Sequence, residues 1–369
     1  MRFTCEKSML VMGLNITGRT VAAKSALSSI EGILCRAGDG ISLTGYNMET
    51  AITYQIEADV SDPGECVLPA RLFGDIIRRL PEGQVTVVVD ENYKVSIRAG
   101  YASFTISAEN ADDYPELPDV GDGKSIRIPQ LALKELINGT IFAVSENQGR
   151  PIHTGVKFEV VQDTVSAIAV DGFRLARRTY HCEGDTGRTL SFVVPAQSLK
   201  EVEKILQDED GFVAFTLGTK HILFQIGNAT LICRLLDGDF LDYERILPTS
   251  FATVATLKID GLKRAMERAS ILLNNEKIRI PVRFSFEFDS VVTSCRSSTG
   301  NTLTDQIKAA IDGPSLEIGF NNKYILEILA AAECDEIMIG LNKPNTLMKV
   351  TPTEGDRFIF LLSPMHLKG

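Results

Sequence analysis

The chain reads Val67-Leu68-Pro69-Ala70 followed by Leu72-Phe73-Gly74-Asp75-Ile76-Ile77, and this stretch returns twice in related form. The later copies are Val193-Val194-Pro195-Ala196 with Leu199-Lys200-Glu201-Val202, and Gly319-Phe320-Asn321-Asn322 with Ile325-Leu326-Glu327-Ile328. Pro69 and Pro195 are separated by 126 residues, as are Pro195 and Asn321. A fixed period of this length indicates tandem copies of one structural module. Because the period is close to one third of the 369 residues, the sequence predicts three similar domains.

Each copy alternates amphipathic segments with short strands. In the first copy, apolar residues from Leu72 to Leu80 recur at helical spacing, and Pro81-Glu82-Gly83 ends the pattern. Two strand-like runs then flank Asp90-Glu91-Asn92, which predicts a hairpin. Two helices and roughly eight strands per copy predict an α+β fold with helices packed on antiparallel sheets. The predicted domains are residues 1–122, 123–248 and 249–369, with turn-rich linkers between them.

Composition excludes several classes of protein. An apolar content of 44% and a charged content of 23% are those of an ordinary globular chain. The first residues lack a basic segment followed by an apolar run, so we expect no secretory signal. No stretch approaches the ~20 apolar residues of a membrane span. The seven cysteines are scattered and form no C-x-x-C pair, which favours reduced thiols in a cytoplasmic protein.

The net charge of −10 argues against a nucleic acid partner, but the charge is unevenly distributed. The segments predicted as helices carry a net positive charge together, mainly from 7–24, 71–80 and 260–270, and the rest of the chain is acidic. Such segregation suits a protein that follows a phosphate backbone with one face. Lysine and arginine also collect on solvated helix faces because they are good helix formers. The charge pattern alone leaves both interpretations open.

Candidate catalytic residues are few. The four histidines form no metal-binding or nucleophile motif, and no glycine-rich phosphate loop occurs. The densest acidic cluster, Glu109, Asp112, Asp113 and Glu116, could in principle hold Mg²⁺. A similar sequence around Asp242-Tyr243 ends the second copy, which favours a structural corner. We therefore expect no metal, no cofactor and no catalysis, with a metal enzyme using Asp112, Asp113 and Glu116 as the alternative.

Several motifs together resemble one family. The stretch Val170-Asp171-Gly172-Phe173-Arg174-Leu175-Ala176 resembles the T-D-G-H-R-L-A signature of the bacterial sliding clamp, the β subunit of the DNA polymerase III holoenzyme. The segments 237–248 and 271–277 continue the resemblance, and Ser363-Pro364-Met365-His366-Leu367 is similar to the family's M-P-M-R-L ending. The resemblance covers the full length and includes the three-domain plan.

The resemblance implies a DNA-clamp fold and a ring-forming, head-to-tail homodimer around double-stranded DNA. Such a ring is a processivity factor, a non-catalytic subunit of a DNA-directed DNA polymerase complex that binds DNA without sequence preference. It tethers the replicative DNA polymerase, the clamp loader and other partners through a peptide-binding cleft. A triplicated protein-interaction scaffold with no DNA role is the second alternative that the sequence leaves open.

Site residues follow from the resemblance, position by position. The residues that match the partner-peptide cleft are Arg150, His153, Val170, Gly172, Phe173, Arg174, Leu175, Leu241, Arg245, Ile246, Thr346, Leu361, Ser363, Pro364, Met365 and His366. The residues that match the dimer interface are Leu72, Ile76, Phe104, Ile106, Ile271 and Leu272. The DNA-binding candidates are Lys24 and Gln148 from the resemblance, and Arg71, Arg78 and Arg79 from helix charge. The cleft departs from the family at His153, Phe173, Leu241, Ser363 and His366, so we expect an altered peptide preference.

Overall fold

The structure, a computed structural model, describes residues 1–121, 123–184, 187–207 and 211–367. Asp122 and Gly369, which end two of the predicted domains, lie outside the described residues. Within the described ranges the chain forms six α-helices and 25 β-strands, and all strand pairs are antiparallel. The α+β class predicted from the sequence is therefore what the structure has.

The helices are short and the strands mostly contain five to seven residues. The helices are α1 (Lys7–Thr17), α2 (Ala70–Arg79), α3 (Gln130–Asn138), α4 (Ala196–Ile205), α5 (Ile259–Leu273) and α6 (Asn322–Ala332). The strands are β1 (Arg2–Glu6), β2 (Gly32–Ala37), β3 (Ile41–Tyr46), β4 (Thr50–Ile56), β5 (Asp59–Asp62), β6 (Gly64–Pro69), β7 (Gln84–Val89), β8 (Lys94–Ala99), β9 (Ala102–Ser107), β10 (Lys124–Pro129), β11 (Gly155–Val161), β12 (Thr164–Val170), β13 (Arg174–His181), β14 (Thr189–Pro195), β15 (Phe212–Leu217), β16 (His221–Ile226), β17 (Ala229–Arg234), β18 (Thr253–Lys258), β19 (Val282–Phe286), β20 (Ser290–Arg296), β21 (Thr302–Asp312), β22 (Leu316–Phe320), β23 (Glu336–Leu341), β24 (Met348–Pro352) and β25 (Phe358–Leu362).

The order of helices and strands shows a structural repeat about half as long as the 126-residue period of the sequence. A strand runs into a helix and is followed by three strands, and this β-α-β-β-β order occurs six times in the described chain, with β5 as an additional strand. At the repeated sequence stretch, β6 ends at Pro69 and β14 at Pro195, and α2 and α4 begin at the next residue. Proline suits this junction because it lacks the N–H that a continuing ladder would need and fits the start of a helix.

The first helix is shorter than the sequence predicts. The apolar pattern indicated a helix to Lys24, but α1 ends at Thr17 and a 3₁₀ turn follows. The Thr17 hydroxyl donates to the Gly13 carbonyl at 2.8 Å, and the Thr20 hydroxyl donates to the Gly45 carbonyl at 2.9 Å. A Cβ on Gly45 would lie 2.1 Å from the Thr17 carbonyl oxygen, so only glycine allows β3 to approach the helix end this closely. Lys24 therefore lies in a loop.

The chain separates into two compact units. Unit 1 consists of Met1–Leu133 and Gln197–Leu235, and unit 2 of Lys134–Ala196 and Leu236–Gly369. Unit 1 has a five-stranded sheet in the order β5-β1-β7-β8-β9 and an eight-stranded sheet in the order β10-β15-β16-β17-β4-β3-β2-β6. Unit 2 has a twelve-stranded sheet in the order β14-β11-β12-β13-β25-β24-β23-β18-β21-β20-β19-β22.

The large sheets run across the predicted domain limits. In unit 1, β4 of the first predicted domain pairs with β17 of the second, from Thr50 opposite Cys233 to Tyr54 opposite Ala229. In unit 2, β13 of the second predicted domain pairs with β25 of the third, beginning with Arg174 opposite Leu362. Main-chain hydrogen bonds thus continue each sheet from one predicted domain into the next, because the last strand of a repeat has an edge that another repeat can pair with.

A buried arginine organises the helix ends in unit 2. Arg178 on β13 is 1% exposed, and its Nη2 donates to Glu135 on α3 at 2.8 Å and to Glu333 at 2.9 Å. Its Nη1 lies 3.4 Å from the carbonyl oxygen of Ala331 near the end of α6. The guanidinium therefore satisfies helix-end carbonyls and two carboxylates together, as a planar group with several donors can.

We expect Arg178→Ala to lower the free energy of unfolding of the chain by about 3 kcal/mol, because it removes buried packing and charge-assisted hydrogen bonds. Urea unfolding followed by circular dichroism measures this. Arg178→Met preserves most of the volume and is the matched control. Equal stability of wild type and Arg178→Ala would contradict the role assigned to the guanidinium.

Candidate functional site

A small apolar cavity in unit 2 coincides with the centre of the predicted cleft. Its volume is about 90 Å³. Its lining residues are Val170, Gly172, Phe173, Arg174, Leu175, Leu241, Ile246, Leu347, Leu361 and Ser363. All of these except Leu347 are predicted cleft residues. Leu347 follows the predicted cleft residue Thr346 in the chain, and it is Leu347 that lines the cavity.

The floor of the cavity is a buried cluster created by strand pairing. Because β13 pairs with β25, Leu175 lies opposite Leu361, and both belong to a cluster with Ile168, Val170 and Tyr243. The Tyr243 hydroxyl donates to Glu159 Oε2 at 2.7 Å. Burial first, and then this hydrogen bond, raise the pKa of Tyr243, so the phenol stays neutral. The floor is therefore apolar and held in place by a polar anchor on its far side.

Phe173 is presented at the mouth of the cavity by a tight turn. Asp171 Oδ1 accepts hydrogen bonds from the backbone N–H groups of Phe173 at 2.8 Å and Arg174 at 3.0 Å. Gly172 has a φ of 92°, which favours glycine. The Phe173 carbonyl accepts from the Ser363 N–H at 2.8 Å, which ties the turn to the C-terminal segment. The Phe173 ring is left 56% exposed, an unusual state for a large aromatic side chain.

Arg174 braces this turn. Its side chain is buried, and its Nε donates to Asp171 Oδ2 at 3.0 Å. The two terminal nitrogens donate to Glu327 and to the Phe142 carbonyl. The guanidinium also lies 4.2 Å from the ring centroid of Tyr324 on α6. Glu327 and Tyr324 therefore position a cavity residue, and sequence reasoning missed both, although Glu327 stands within the third copy of the repeated stretch.

The remaining predicted cleft residues do not line this cavity. Arg245 is exposed and its Nε lies 2.7 Å from Asp242 Oδ2, and the Thr346 hydroxyl donates to the Lys343 carbonyl at 3.0 Å within a turn. Arg150 is exposed on a loop, and Pro364 is partly buried beyond Ser363. Met365 and His366 line a separate, larger cavity, because the Met365 N–H bonds to the Gly319 carbonyl and draws the segment toward β22.

His153 lies behind the cavity. Its ring meets Phe240 edge-on with centroids 5.2 Å apart, and Phe240 packs against the buried cluster of the floor. Its Nε2 is buried without a hydrogen-bond partner in the described structure. Burial, and secondarily the charge of Arg150, lower the pKa of His153, so the imidazole is neutral near pH 7. His153 therefore acts here as a packing residue, like the apolar residue usual in the family.

The DNA-binding candidates are all exposed. Lys24 lies in the loop after α1, and Gln148 lies in a loop of unit 2. Arg78 and Arg79 at the end of α2 each have a terminal nitrogen 3.5 Å from Asp75 Oδ1, so both are only weakly paired. Arg71, at the start of α2, instead lines a cavity next to β9. The cations of α2 thus form two separate groups, Arg71 at the start of the helix and Arg78 with Arg79 at its end.

The predicted interface residues are mostly exposed apolar side chains. Leu72 is 50%, Phe104 42% and Ile271 75% exposed, and Ile106 and Leu272 are partly exposed. Ile76 differs, because it is 7% exposed and packs within unit 1. Exposed apolar residues grouped on a helix and an edge strand are typical of an interaction surface.

The acidic cluster is a structural corner. Ala111–Asp113 form a 3₁₀ turn that Asn110 caps by accepting from the Asp112 N–H at 3.2 Å. Ser29 donates to the Asp113 carbonyl at 2.8 Å, and the buried Tyr114 donates to the Thr44 carbonyl at 3.3 Å. Across the described ranges, no three His, Cys, Asp or Glu residues are arranged to hold a metal ion. The geometry therefore gives no support to the alternative metal site.

Comparison with known proteins identifies the family. The profile described as DNA polymerase III beta subunit, N-terminal domain, matches residues 1–118, the central domain matches 127–242 and the C-terminal domain matches 244–366. The beta sliding clamp of Bacillus subtilis is 30% identical over 376 residues, which cover 99% of this chain and 100% of that protein. That of Staphylococcus aureus is 30% identical over 379 residues, with 99% of each chain covered.

Solved structures agree. A crystal structure of the sliding clamp from Bacillus subtilis has a TM-score of 0.96 at 31% identity, with both chains fully covered. A Pseudomonas aeruginosa sliding clamp bound to griselimycin has a TM-score of 0.94 at 28% identity, also with full coverage. Among the described residues, no helix has the length and apolar character needed to cross a bilayer. These matches confirm the resemblance and the α+β clamp fold. The chain therefore belongs to the DNA polymerase III beta subunit family, the non-catalytic sliding clamps that serve DNA polymerase as processivity factors.

Proposed function

We propose that two copies of this chain close head to tail into a ring around duplex DNA, with residues 1–122, 123–248 and 249–369 as the domains of each copy. The ring would act in the cytoplasm, where it would tether the replicative polymerase through the cavity at Phe173. Ring dimers and a peptide-binding cleft are typical of the family. The observation that carries the proposal for this chain is the pairing of the strands that end each β-α-β-β-β repeat.

These last strands pair by one rule. β4 ends the first repeat of its proposed domain and pairs with β17, which ends the second repeat of the next domain. β13 and β25 are related in the same way. Two of the strands that end a repeat, β9 and β21, are not paired with each other or with another such strand in the described chain. β9 is an edge strand, and residues 302–308 of β21 pair only with β20 in the described chain. The rule therefore places β21 of one copy against β9 of the other.

The rule also sets a register. Ala51, which pairs with Tyr46 at the end of the β3–β4 hairpin, lies opposite Ile232, the fourth residue of β17. Leu175, which pairs with Val170 at the end of the β12–β13 hairpin, lies opposite Leu361, the fourth residue of β25. Thr302 holds the equivalent position, since it pairs with Arg296 at the end of the β20–β21 hairpin, so the same offset predicts Thr302 opposite Thr105, the fourth residue of β9, and Leu303 opposite Phe104 of the other copy. This register keeps Leu303 and Phe104 on the core-facing side of their sheets, where Cys295 and Ile97, the residues paired with them, are buried. Phe104 is exposed on β9 and Ile271 on α5, so pairing would bury them and remove an open edge that favours uncontrolled association.

We expect Thr105→Cys combined with Thr302→Cys to form a covalent dimer under mild oxidation. Directly opposed residues on antiparallel strands have Cα atoms about 4.5–5.5 Å apart, within the range that a disulfide spans. Non-reducing gel electrophoresis measures the cross-link.

The matched control is Thr105→Cys with Gln306→Cys, which moves the second cysteine four residues along the same face of β21, beyond the reach of a disulfide. Each variant with a single added cysteine measures how much cross-linking involves the native cysteines. Cross-linking that is equal in the two double variants, or absent from both, would reject the register.

The cavity suits an apolar anchor on an extended peptide. A groove lined by leucine, isoleucine and valine side chains gains affinity by removing such an anchor from water, and a few polar groups orient the backbone. Phe173 stands where the family usually has histidine, so an apolar aromatic ring replaces a polar aromatic ring at the mouth of the cavity. We infer that this cavity prefers peptides whose anchor is followed by a second apolar or aromatic residue.

We expect Phe173→Ala to weaken binding of a labelled peptide from the replicative polymerase about tenfold or more, because exposed aromatic anchors dominate small interfaces. Fluorescence anisotropy measures the affinity. Phe288, which is 94% exposed elsewhere in unit 2, provides the matched control as Phe288→Ala. Equal loss of affinity in both variants would contradict the assignment of the cleft.

DNA contacts in such a ring can be weak. Lys24, Arg78 and Arg79 are exposed cations with no strong ion pair in the described chain, which suits transient contacts to phosphates. Phosphate contacts carry no sequence information, so they let a protein slide. Retention on DNA would then come from encirclement, and a polymerase that releases the template stays at high effective concentration.

We expect protein loaded on nicked circular DNA to remain bound through gel filtration and to be lost once the DNA is linearised, because a ring slides off free ends. Lys24→Ala with Arg78→Ala and Arg79→Ala should weaken salt-sensitive contacts but leave retention on the circle largely intact. Equal escape from circular and linear DNA would favour a protein-interaction scaffold without a DNA role.

A further inference from the structure

A cavity whose charged lining residues are mostly acidic lies beside β9 in unit 1. Its volume is about 460 Å³, and it lies between the turn Ser28–Glu31, the start of α2 and the end of β9. Its charged lining consists of Glu31, Asp75 and Glu109 against one cation, Arg71. We call this the acidic cavity.

Two of these carboxylates lack a cationic partner. Glu31 Oε1 accepts from the Ser25 N–H at 2.7 Å, and Glu109 Oε2 lies 3.4 Å from the Ser28 hydroxyl. Within the described part of the chain, neither carboxylate is within 4.0 Å of a lysine or arginine nitrogen. Both side chains are exposed. Their charge is thus available to a group outside the chain.

A cavity whose charged lining residues are basic lies beside β21 in unit 2. Its volume is about 650 Å³, and its charged lining consists of Arg279, Arg283 and Arg296. No acidic side chain is among the described residues that line it. We call this the basic cavity.

Two of its arginines also lack an ionic partner. Arg283 pairs with Glu317 at 2.5 Å, whereas Arg279 has only Tyr324, whose hydroxyl lies 3.5 Å from its Nη1. Over the ranges that the structure describes, neither Arg279 nor Arg296 forms an ion pair. Glu276 lies close by but accepts from the Ser298 N–H at 3.0 Å. Exposed Ile278 adds apolar surface at the same place.

The strand register brings these two cavities together. Ser107, the last residue of β9, lines the acidic cavity, and Thr302, the first residue of β21, lines the basic cavity. Since Thr302 would lie opposite Thr105, two residues from Ser107, the two cavities fall at the same end of the paired strands. We infer that Glu31 and Glu109 of one copy face Arg279 and Arg296 of the other, so that charge complementarity closes the ring. This inference rests on the proposed head-to-tail dimer.

Such pairing would govern how the copies associate. Isolated surface ion pairs contribute little, but complementary patches raise association rates and exclude wrong orientations. In a head-to-head arrangement, acidic cavities would meet acidic cavities and basic would meet basic. Salt screens exposed charges, so ring closure would weaken as ionic strength rises. The seam would then have an apolar part set by Phe104 and Ile271 and a salt-sensitive part set by these cavities.

Charge reversal tests the inference on the full-length protein. The acid-reversed variant is Glu31→Lys with Glu109→Lys, and the base-reversed variant is Arg279→Glu with Arg296→Glu. Each alone should dimerise about 100-fold more weakly at low salt, because like charges then meet at both seams. A mixture of the two variants should restore a heterodimer of near wild-type affinity, since reversed cavities meet at one seam and native cavities at the other. Sedimentation velocity and native mass spectrometry measure both.

Salt dependence provides a second readout. Between about 50 and 500 mM salt the wild-type dimer should weaken, whereas each reversed variant should associate more strongly, because screening removes repulsion. The matched control is Glu57→Lys with Glu354→Lys, two exposed carboxylates remote in sequence from the cavities. It should dimerise like wild type, and circular dichroism confirms that all variants fold.

The outcomes separate this inference from the proposed dimer. If both reversed variants dimerise like wild type and show no preference for each other, charge pairing is overturned and the seam remains. If Phe104→Ala with Ile271→Ala also leaves the dimer intact and the disulfide cross-link between positions 105 and 302 fails to form, the proposed seam itself is wrong. Dimerisation restored in the mixture of the two reversed variants, together with opposite salt dependences of the wild type and each reversed variant alone, supports both the charge pairing and the proposed dimer.

Discussion

Antiparallel main-chain pairing between the last strands of the repeats is the interaction on which the rest of the structure depends. β4 pairs with β17, and β13 pairs with β25, so each large sheet continues from one proposed domain into the next. Main-chain hydrogen bonds tolerate wide changes in side chains, because donors and acceptors repeat identically along every strand. A chain about 30% identical to its relatives can therefore keep the same architecture.

The cavity is a consequence of this pairing. Leu175 and Leu361 lie opposite each other only because β13 meets β25, and the turn that presents Phe173 begins where that pairing ends. Arg174 then fixes the turn against α6 through Glu327 and Tyr324. A large aromatic ring can stay exposed because its backbone is held from several sides. The site is thus rigid beneath and variable at its mouth, where this chain departs from its family.

Acidic and basic side chains are concentrated in different regions of this protein. The total of −10 conceals exposed cations in α2 and after α1, an acidic cavity beside β9 and a basic cavity beside β21. A ring that slides on DNA needs weak cationic contacts inside and a seam that closes firmly. In the proposed dimer, opposite charges on two edges of one chain meet the second need, since those edges would meet between copies. Apolar residues at the same edges would supply the part of the association that salt does not weaken.

The sequence by itself determined the local structure. The spacing of Pro69, Pro195 and Asn321 revealed three strand-to-helix junctions, because proline and helical periodicity act on neighbouring residues. The resemblance supplied most of the cavity lining and the family. Only the tertiary structure decided the sheets that cross domain limits, the six half-length repeats, the early end of α1 and the departure of Met365 and His366 to another cavity. It also decided the roles of Leu347, Tyr324 and Glu327. These features depend on which strand edges meet and which groups become buried together, and residues far apart in sequence settle that by hydrogen bonding and packing in space.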